Sequence, residues 1–236
     1  MKGSNGPRVR GAAALTGLDR NLIAEDLACR RGERLVFAGV SFRLSEGGAL
    51  LLTGSNGSGK TSLLRLLATL IPPAGGRLFW GVASFDADVA AYRAALQYIG
   101  HQDAVKPGLT TRETLLFWAA LRGVGAGRRL SLLEEALATF ALEAVADWPC
   151  RWLSAGQRRR LALTRLVAAP APIWLLDEPT STLDRDNQLR LERLISEHRR
   201  LGGRVIIATH VPIDVAAAEV IPLDSFVASL DHAAVG

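Results

Sequence analysis

At 236 residues, 49% of them hydrophobic and 22% charged, the chain is long enough for one large α/β domain, or a core with a small appended lobe. A formal charge of +5 suits nucleotide phosphates, nucleic acid or an anionic membrane surface, but the arginines are scattered, as on an ordinary solvated surface. No run of about 18 uncharged apolar residues occurs, which excludes a spanning helix, and Cys29 and Cys150 have neither metal-ligand spacing nor a disulfide framework, so both are expected as ordinary thiols.

In chain order, Met1 to Arg20 is basic, rich in Gly and Ala, and lacks the apolar segment of a secretory signal; it is expected as a flexible tail with no assigned role. Residues 21–236 are expected as one domain. Ala49 to Thr53 is a short apolar run before a Gly-rich turn, hence a buried strand. Lys60 to Leu70 repeats leucine at helical spacing and stops at Pro72-Pro73. Arg77 to Trp80 and Leu96 to Ile99 are further predicted strands. Thr110 to Ala146 is predicted helical with a break at Gly123 to Gly127, giving an inserted helical subdomain over about residues 103–152. Ala155 to Ala168 is a predicted helix, Ile173 to Leu176 a strand, Leu189 to Arg200 a helix closed by Gly202-Gly203, and Val205 to Thr209 a strand. Strands alternating with helices predict an α/β fold with a mainly parallel core sheet.

Gly54-Ser55-Asn56-Gly57-Ser58-Gly59-Lys60-Thr61 fits the phosphate-loop pattern G-x-x-x-x-G-K-[ST] and lies between a predicted strand and a predicted helix. Glycines let backbone N–H groups curl around an anion, and the helix N-terminus adds the positive end of its dipole. Lys60 is expected at the β- and γ-phosphates, Thr61 on Mg²⁺, and Ser62 beside the same nucleotide. The strand Ile173 to Leu176 runs into Asp177-Glu178. Two adjacent carboxylates at a buried strand end need a partner, because isolated charges are costly to desolvate. A metal held near Thr61 supplies one, with Asp177 as its ligand and Glu178 polarising the attacking water. The loop alone does not separate a kinase, a GTPase and a transporter ATPase.

Leu153-Ser154-Ala155-Gly156-Gln157 precedes a long helix, and Ser154 is placed to cap it while exposed N–H groups face a phosphate. This segment resembles the signature motif of ABC ATPases, with Ala155 where glycine is usual. The resemblance implies a P-loop ABC-type nucleotide-binding domain with antiparallel β elements at its N-terminus. It also implies a homodimer in which each signature completes the opposite subunit's site, so that two ATP molecules are sandwiched. By the same resemblance, Gln102 matches the glutamine that touches Mg²⁺, Ser181 and Asp184 belong to a loop crossing the dimer interface, and His210 matches the histidine that contacts the γ-phosphate. The family stacks an aromatic residue on adenine shortly before a strand expected to end near Phe37. Here the stretch reads Cys29-Arg30-Arg31-Gly32, so Arg30 or Arg31 is expected to stack on the base instead.

Leu27 to Arg31, Ile99-Gly100-His101-Gln102 leading to Lys106 to Thr110, and the Ala155 signature with Trp174 before the acidic strand are together similar to the ATP-binding subunits of cytochrome c maturation, the haem exporter ATPases. That likeness implies a peripheral subunit on the cytoplasmic side of the cell inner membrane. It would drive an integral membrane ABC permease subunit and work with other cytochrome c maturation proteins, with Gln102 to Thr110 as the coupling surface. The alternatives are an ABC exporter for a lipid, drug or polysaccharide, and a soluble ABC ATPase acting on nucleic acid. No nucleic acid is expected, since the chain has no second ATPase half, no coiled-coil insertion and no basic run with interleaved aromatics.

Overall fold

A computed structural model describes residues 20–227, so the segment expected as a tail lies, but for Arg20, outside the described residues. The first half carries β1 (Leu22–Arg31), β2 (Arg34–Leu44), β3 (Ala49–Thr53), α1 (Lys60–Leu67), β4 (Gly75–Trp80), β5 (Ala83–Ser84), α2 (Val89–Ala94) and β6 (Leu96–Ile99). The second carries α3 (Thr111–Leu121), α4 (Ala126–Thr139), α5 (Ala155–Ala168), β7 (Ile173–Asp177), α6 (Arg185–Arg200), β8 (Arg204–Ala208) and β9 (Glu219–Pro222).

Two sheets result. A four-stranded antiparallel sheet runs β2-β1-β4-β5, and a five-stranded parallel sheet runs β6-β7-β8-β3-β9. The strands β3 and β7 read as almost unbroken apolar runs because both faces of the sheet are covered there, whereas the edge strand β9 is largely exposed. Their alternation divides the core: Ile173 and Leu175 of β7 pack with α1 and the antiparallel sheet, whereas Trp174 and Leu176 pack with α3, α4 and α5. Strand β8 does the same, with Ile206 and Ala208 on the first side and Val205 and Ile207 on the second. Truncating a fully buried leucine such as Leu175 to alanine costs about 2–5 kcal/mol, so this sheet is the rigid platform of the molecule.

Several boundaries differ from expectation, each for a local reason. Helix α1 stops at Leu67 instead of Leu70, where Thr69 takes a positive φ of 57° and turns the chain. Helix α6 begins at Arg185, four residues earlier than expected, because Asp184 caps it by accepting from the Asn187 N–H at 2.9 Å. The helical insert is two helices; α3 opens with a capping box between Thr110 and Glu113, and the segment after α4 contains only short 3₁₀ turns. Phe37 does not end a strand but lies inside β2, fully buried. β9 was not anticipated. Cys29 and Cys150 are buried free thiols. Among the described residues no helix is long and apolar enough to cross a membrane.

Candidate functional site

The register of the parallel sheet brings four chain segments to one edge. Leu52 of β3 pairs with Ala208 of β8, Ala208 pairs with Asp177 of β7, and Ile99 of β6 pairs with Leu176. The phosphate loop, Asp177-Glu178, Gly100-His101 and Thr209-His210 therefore all leave the sheet at its carboxyl edge, the usual ligand edge of an open α/β sheet.

Gly59 closes the loop at the N-cap of α1 with φ 104°, a conformation L side chains rarely adopt, and a Cβ there would sit 2.8 Å from Val36 Cγ1. Strand β2 thus presses directly on the loop. Lys60 is buried, and its Nζ donates to the carbonyls of Gly54 at 2.7 Å and Ser55 at 2.9 Å. An ammonium has three donors, so one remains for an anion.

Asp177 is only 1% exposed. Its Oδ1 accepts from Thr61 Oγ1 at 3.1 Å and its Oδ2 from the Tyr98 hydroxyl at 3.4 Å. Burial pushes the Asp177 carboxyl above its ordinary range and the neighbouring Glu178 charge adds to this, while the Thr61 and Tyr98 hydrogen bonds and His101 oppose it. Among the described residues no salt bridge neutralises it. The Asp177 carboxylate and the Thr61 hydroxyl are oxygen donors of the kind a hard divalent cation takes; among the described residues no group of three or more His, Cys, Asp or Glu side chains is gathered to hold a metal by itself.

Glu178 has a positive φ of 48°, a strained setting for a non-glycine residue, and its N–H donates to the Ala208 carbonyl at 2.8 Å. That turn re-aims the side chain so that Oε1 meets His210 Nδ1 at 2.8 Å, while the His210 N–H approaches Oε2 at 3.4 Å. The Glu178 side chain is 16% exposed and that of His210 60%, so the pair borders open space. Thr209 Oγ1 fixes the turn, donating to the Val211 carbonyl at 2.8 Å and accepting from its N–H at 3.0 Å.

These groups share a cavity of about 450 Å³ lined by Asn56, Gly57, Gly59, Lys60, Thr61, Ser62, Glu178, His210, Arg31, Arg34, Val36 and His101. Three cations, Arg31, Arg34 and Lys60, face one carboxylate there, a balance that favours a polyanion. Arg31 lines this wall, while Arg30 donates to the Glu33 carbonyl at 3.4 Å. Gln102 is exposed and outside this wall; its neighbour His101 lines it instead. Arg34 carried no sequence pattern that singled it out, and His101, though inside the Ile99 to Gln102 segment, had no role assigned to it. Ser55 and Ser58 belong to the same loop, Ser58 buried and Ser55 turned outward to Asp224.

Leu153 to Gln157 stands apart. Ser154 caps α5 in a capping box, accepting from the Gln157 N–H at 3.2 Å while Gln157 Oε1 accepts from the Ser154 N–H at 2.8 Å. Leu153 anchors the segment in the core, Ser154 and Ala155 are exposed, and none of the five lines the cavity among the described residues. A Cβ on Gly156 would meet the Thr182 carbonyl at 3.2 Å, so this helix start packs beside the Ser181 to Asp184 loop.

Arg159, one turn into α5, escaped sequence reading entirely. Its guanidinium is 2% exposed and donates to the carbonyls of Asp177 and Glu178 at 2.8 Å each, to that of Gly100 at 2.9 Å, and to Asp103 Oδ1 at 3.2 Å. One side chain therefore ties the Ser154 helix to the acidic strand end and to the loop after β6.

A phosphate loop, an acidic strand end, a histidine after the neighbouring strand and a capped Ser-Ala-Gly-Gln helix start, all on a mixed two-sheet α/β fold, define an ABC-type ATPase. The chain belongs to the ABC transporter family, whose model matches residues 37–181. It is 54% identical over 210 residues to the cytochrome c biogenesis ATP-binding export protein CcmA of Rhodospirillum rubrum, covering 89% of this chain and 88% of the relative. The CcmA of Paramagnetospirillum magneticum is 49% identical over 208 residues, 88% of this chain and 96% of that one. A solved Pyrococcus furiosus chain assigned as an ABC transporter ATP-binding protein shares the fold with a TM-score of 0.77 at 21% identity, over 88% of this chain and all of the other.

Proposed function

We propose that this chain is the ATP-hydrolysing subunit of an ABC exporter serving c-type cytochrome biogenesis, coupling hydrolysis to haem handling by a separate integral membrane permease subunit. The reading is supported by identity of 54% with a relative of that name across nearly its full length, and by a site whose parts match the chemistry. Its place is the cytoplasmic side of the inner membrane, held there by the permease.

Within the site, the phosphate-loop N–H groups and Lys60 bind the triphosphate, and Arg31 packs against the base. Thr61 and Asp177 would hold Mg²⁺, with Gln102 as a further candidate donor. The ion, when bound, neutralises charge developing on the transferred phosphoryl group. Glu178 accepts a proton from the attacking water, and its hydrogen bond to His210 Nδ1 at 2.8 Å orients both groups toward the γ-phosphate end of the cavity.

The observation that carries the two-copy reading is that the exposed, capped Leu153 to Gln157 segment is absent from its own chain's cavity wall. In a symmetric dimer it faces the partner's phosphates, with Ser181 and Asp184 beside it at the interface. The functional test is genetic and biochemical. Deletion should remove haem-staining c-type cytochromes, wild-type chain should restore them, and Lys60→Ala, which should fail to bind ATP, should not. Normal cytochrome c levels in the deletion strain would overturn the assignment.

A further inference from the structure

The phosphate loop is gripped from outside by a residue 169 positions away. Strand β9 lies against β3, Thr53 pairing with Pro222, and a short 3₁₀ turn from Leu223 to Phe226 follows it directly. This turn carries Asp224 to the first residue after Gly54. The Asp224 carboxylate accepts from the Ser55 N–H at 3.0 Å through Oδ2 and 3.2 Å through Oδ1, and from Ser55 Oγ at 2.7 Å. A Cβ on Gly54 would lie 3.1 Å from Asp224 Oδ2, so the carboxylate is seated against the loop backbone itself. These hydrogen bonds, Ser55 first, hold the Asp224 carboxyl below its usual range, with Lys60 adding a smaller effect.

Ser55 is the hinge of the loop. Its carbonyl accepts from Lys60 Nζ at 2.9 Å and from the Ser58 N–H at 3.2 Å. The Ser55 N–H shares its peptide plane with the Gly54 carbonyl, which accepts from Lys60 Nζ at 2.7 Å, so fixing that N–H fixes the orientation of a carbonyl that positions the cationic side chain. Hydrogen bonds to an ionised acceptor are the stronger kind, and preorganised donors bind an anion without ordering costs at the moment of binding.

We propose that Asp224 is a positioning residue for nucleotide binding: it holds the Ser55 end of the phosphate loop in its anion-receptive form, which makes the edge strand β9 part of the ATP site. The inference rests on the ATPase reading above. Two effects oppose each other when the residue is changed. Losing the clamp loosens the loop and weakens binding, whereas losing a negative charge near a triphosphate strengthens it through space. The clamp wins here, because three contacts act on one residue, two on its backbone N–H and one on its hydroxyl, while the charge lies outside the cavity wall and faces solvent, where screening is strong.

The test uses the full chain, with Asp224→Ala, Asp224→Asn and Ser55→Ala variants, measuring fluorescent ATP-analogue binding, KM, kcat and thermal unfolding without nucleotide. Asp224→Ala should raise Kd and KM for ATP about five- to tenfold with kcat within twofold. Asp224→Asn, which keeps one acceptor oxygen, should fall between it and wild type. Ser55→Ala keeps the backbone bonds and should raise KM about twofold, which holds the proposal open to test even where Asp224→Ala folds poorly. An Asp224→Ala chain with lowered unfolding temperature but wild-type KM, or with a lowered KM, would overturn it. Should wild type itself fail to bind ATP, the ATPase reading fails; should wild type bind and Lys60→Ala not, while Asp224→Ala binds like wild type, only this inference fails.

Discussion

Arg159→Met removes the one side chain that bonds the signature helix, the acidic strand end and the loop after β6 at once. The guanidinium is almost fully buried and makes four hydrogen bonds between 2.8 and 3.2 Å, to three carbonyls and the Asp103 carboxylate. Methionine fills a similar volume, so the loss is in polar pairing. It leaves the Asp177, Glu178 and Gly100 carbonyls without this donor and the Asp103 carboxylate without its counter-charge. Removing one partner of a buried pair costs about 3–5 kcal/mol, a large part of the roughly 5–15 kcal/mol available to a domain. Arg159→Lys keeps the charge but loses the planar fork and should recover less than half of that. Urea unfolding followed by circular dichroism measures the loss as a shift in midpoint at constant slope. Hydrolysis should fall at least tenfold in Arg159→Lys even where it is folded, because the Glu178 carbonyl is no longer held. An Arg159→Met chain with the wild-type midpoint and near-normal turnover would refute this reasoning.

Glu178→Gln should retain ATP affinity and lose about 10²–10⁴ in turnover, with an ATP-trapped dimer in gel filtration; near-normal hydrolysis would remove Glu178 from the role. Ser154→Arg should bind ATP as a single chain yet not hydrolyse it, and mixing it with Lys60→Ala should restore activity, since one composite site in a mixed dimer is then intact; full turnover by Ser154→Arg alone would contradict the shared geometry. His198 lies half-buried near the end of α6, stacked on Trp174 at 3.6 Å, and desolvation pushes its pKa down from 6.5 to about 4. The unfolded chain therefore binds a proton that the folded chain refuses in this window, so stability is full above about pH 6.5 and falls as the pH drops toward 4, by at most about 3 kcal/mol. His198→Phe should flatten that part of the acid limb, and parallel losses in both chains would show that other groups cause it.

What the sequence disclosed was local. The phosphate loop, Asp177-Glu178 and the Ser154 cap are each contiguous, and their chemistry is written in residue type and spacing. Strands β3 and β7 were legible because both faces are buried and the apolar run is nearly continuous. Strand β1 was not, since Asp26 at φ 49° and three register shifts against β2 break its alternation. Residues that act across long separations left no trace: Asp224 meets Ser55 only because β9 lands beside β3, and Arg159 reaches two distant segments from the buried side of a helix rich in arginine. His101 lines the cavity wall and Gln102 beside it does not, and two adjacent polar residues after β6 offered the sequence no way to tell them apart.

The most direct measurement is sedimentation velocity and ATP turnover on the same samples across a dilution series. Rate per chain should rise and fall with the dimer fraction and vanish when only single chains remain. A monomer hydrolysing ATP at full rate, independent of dilution, would contradict the account.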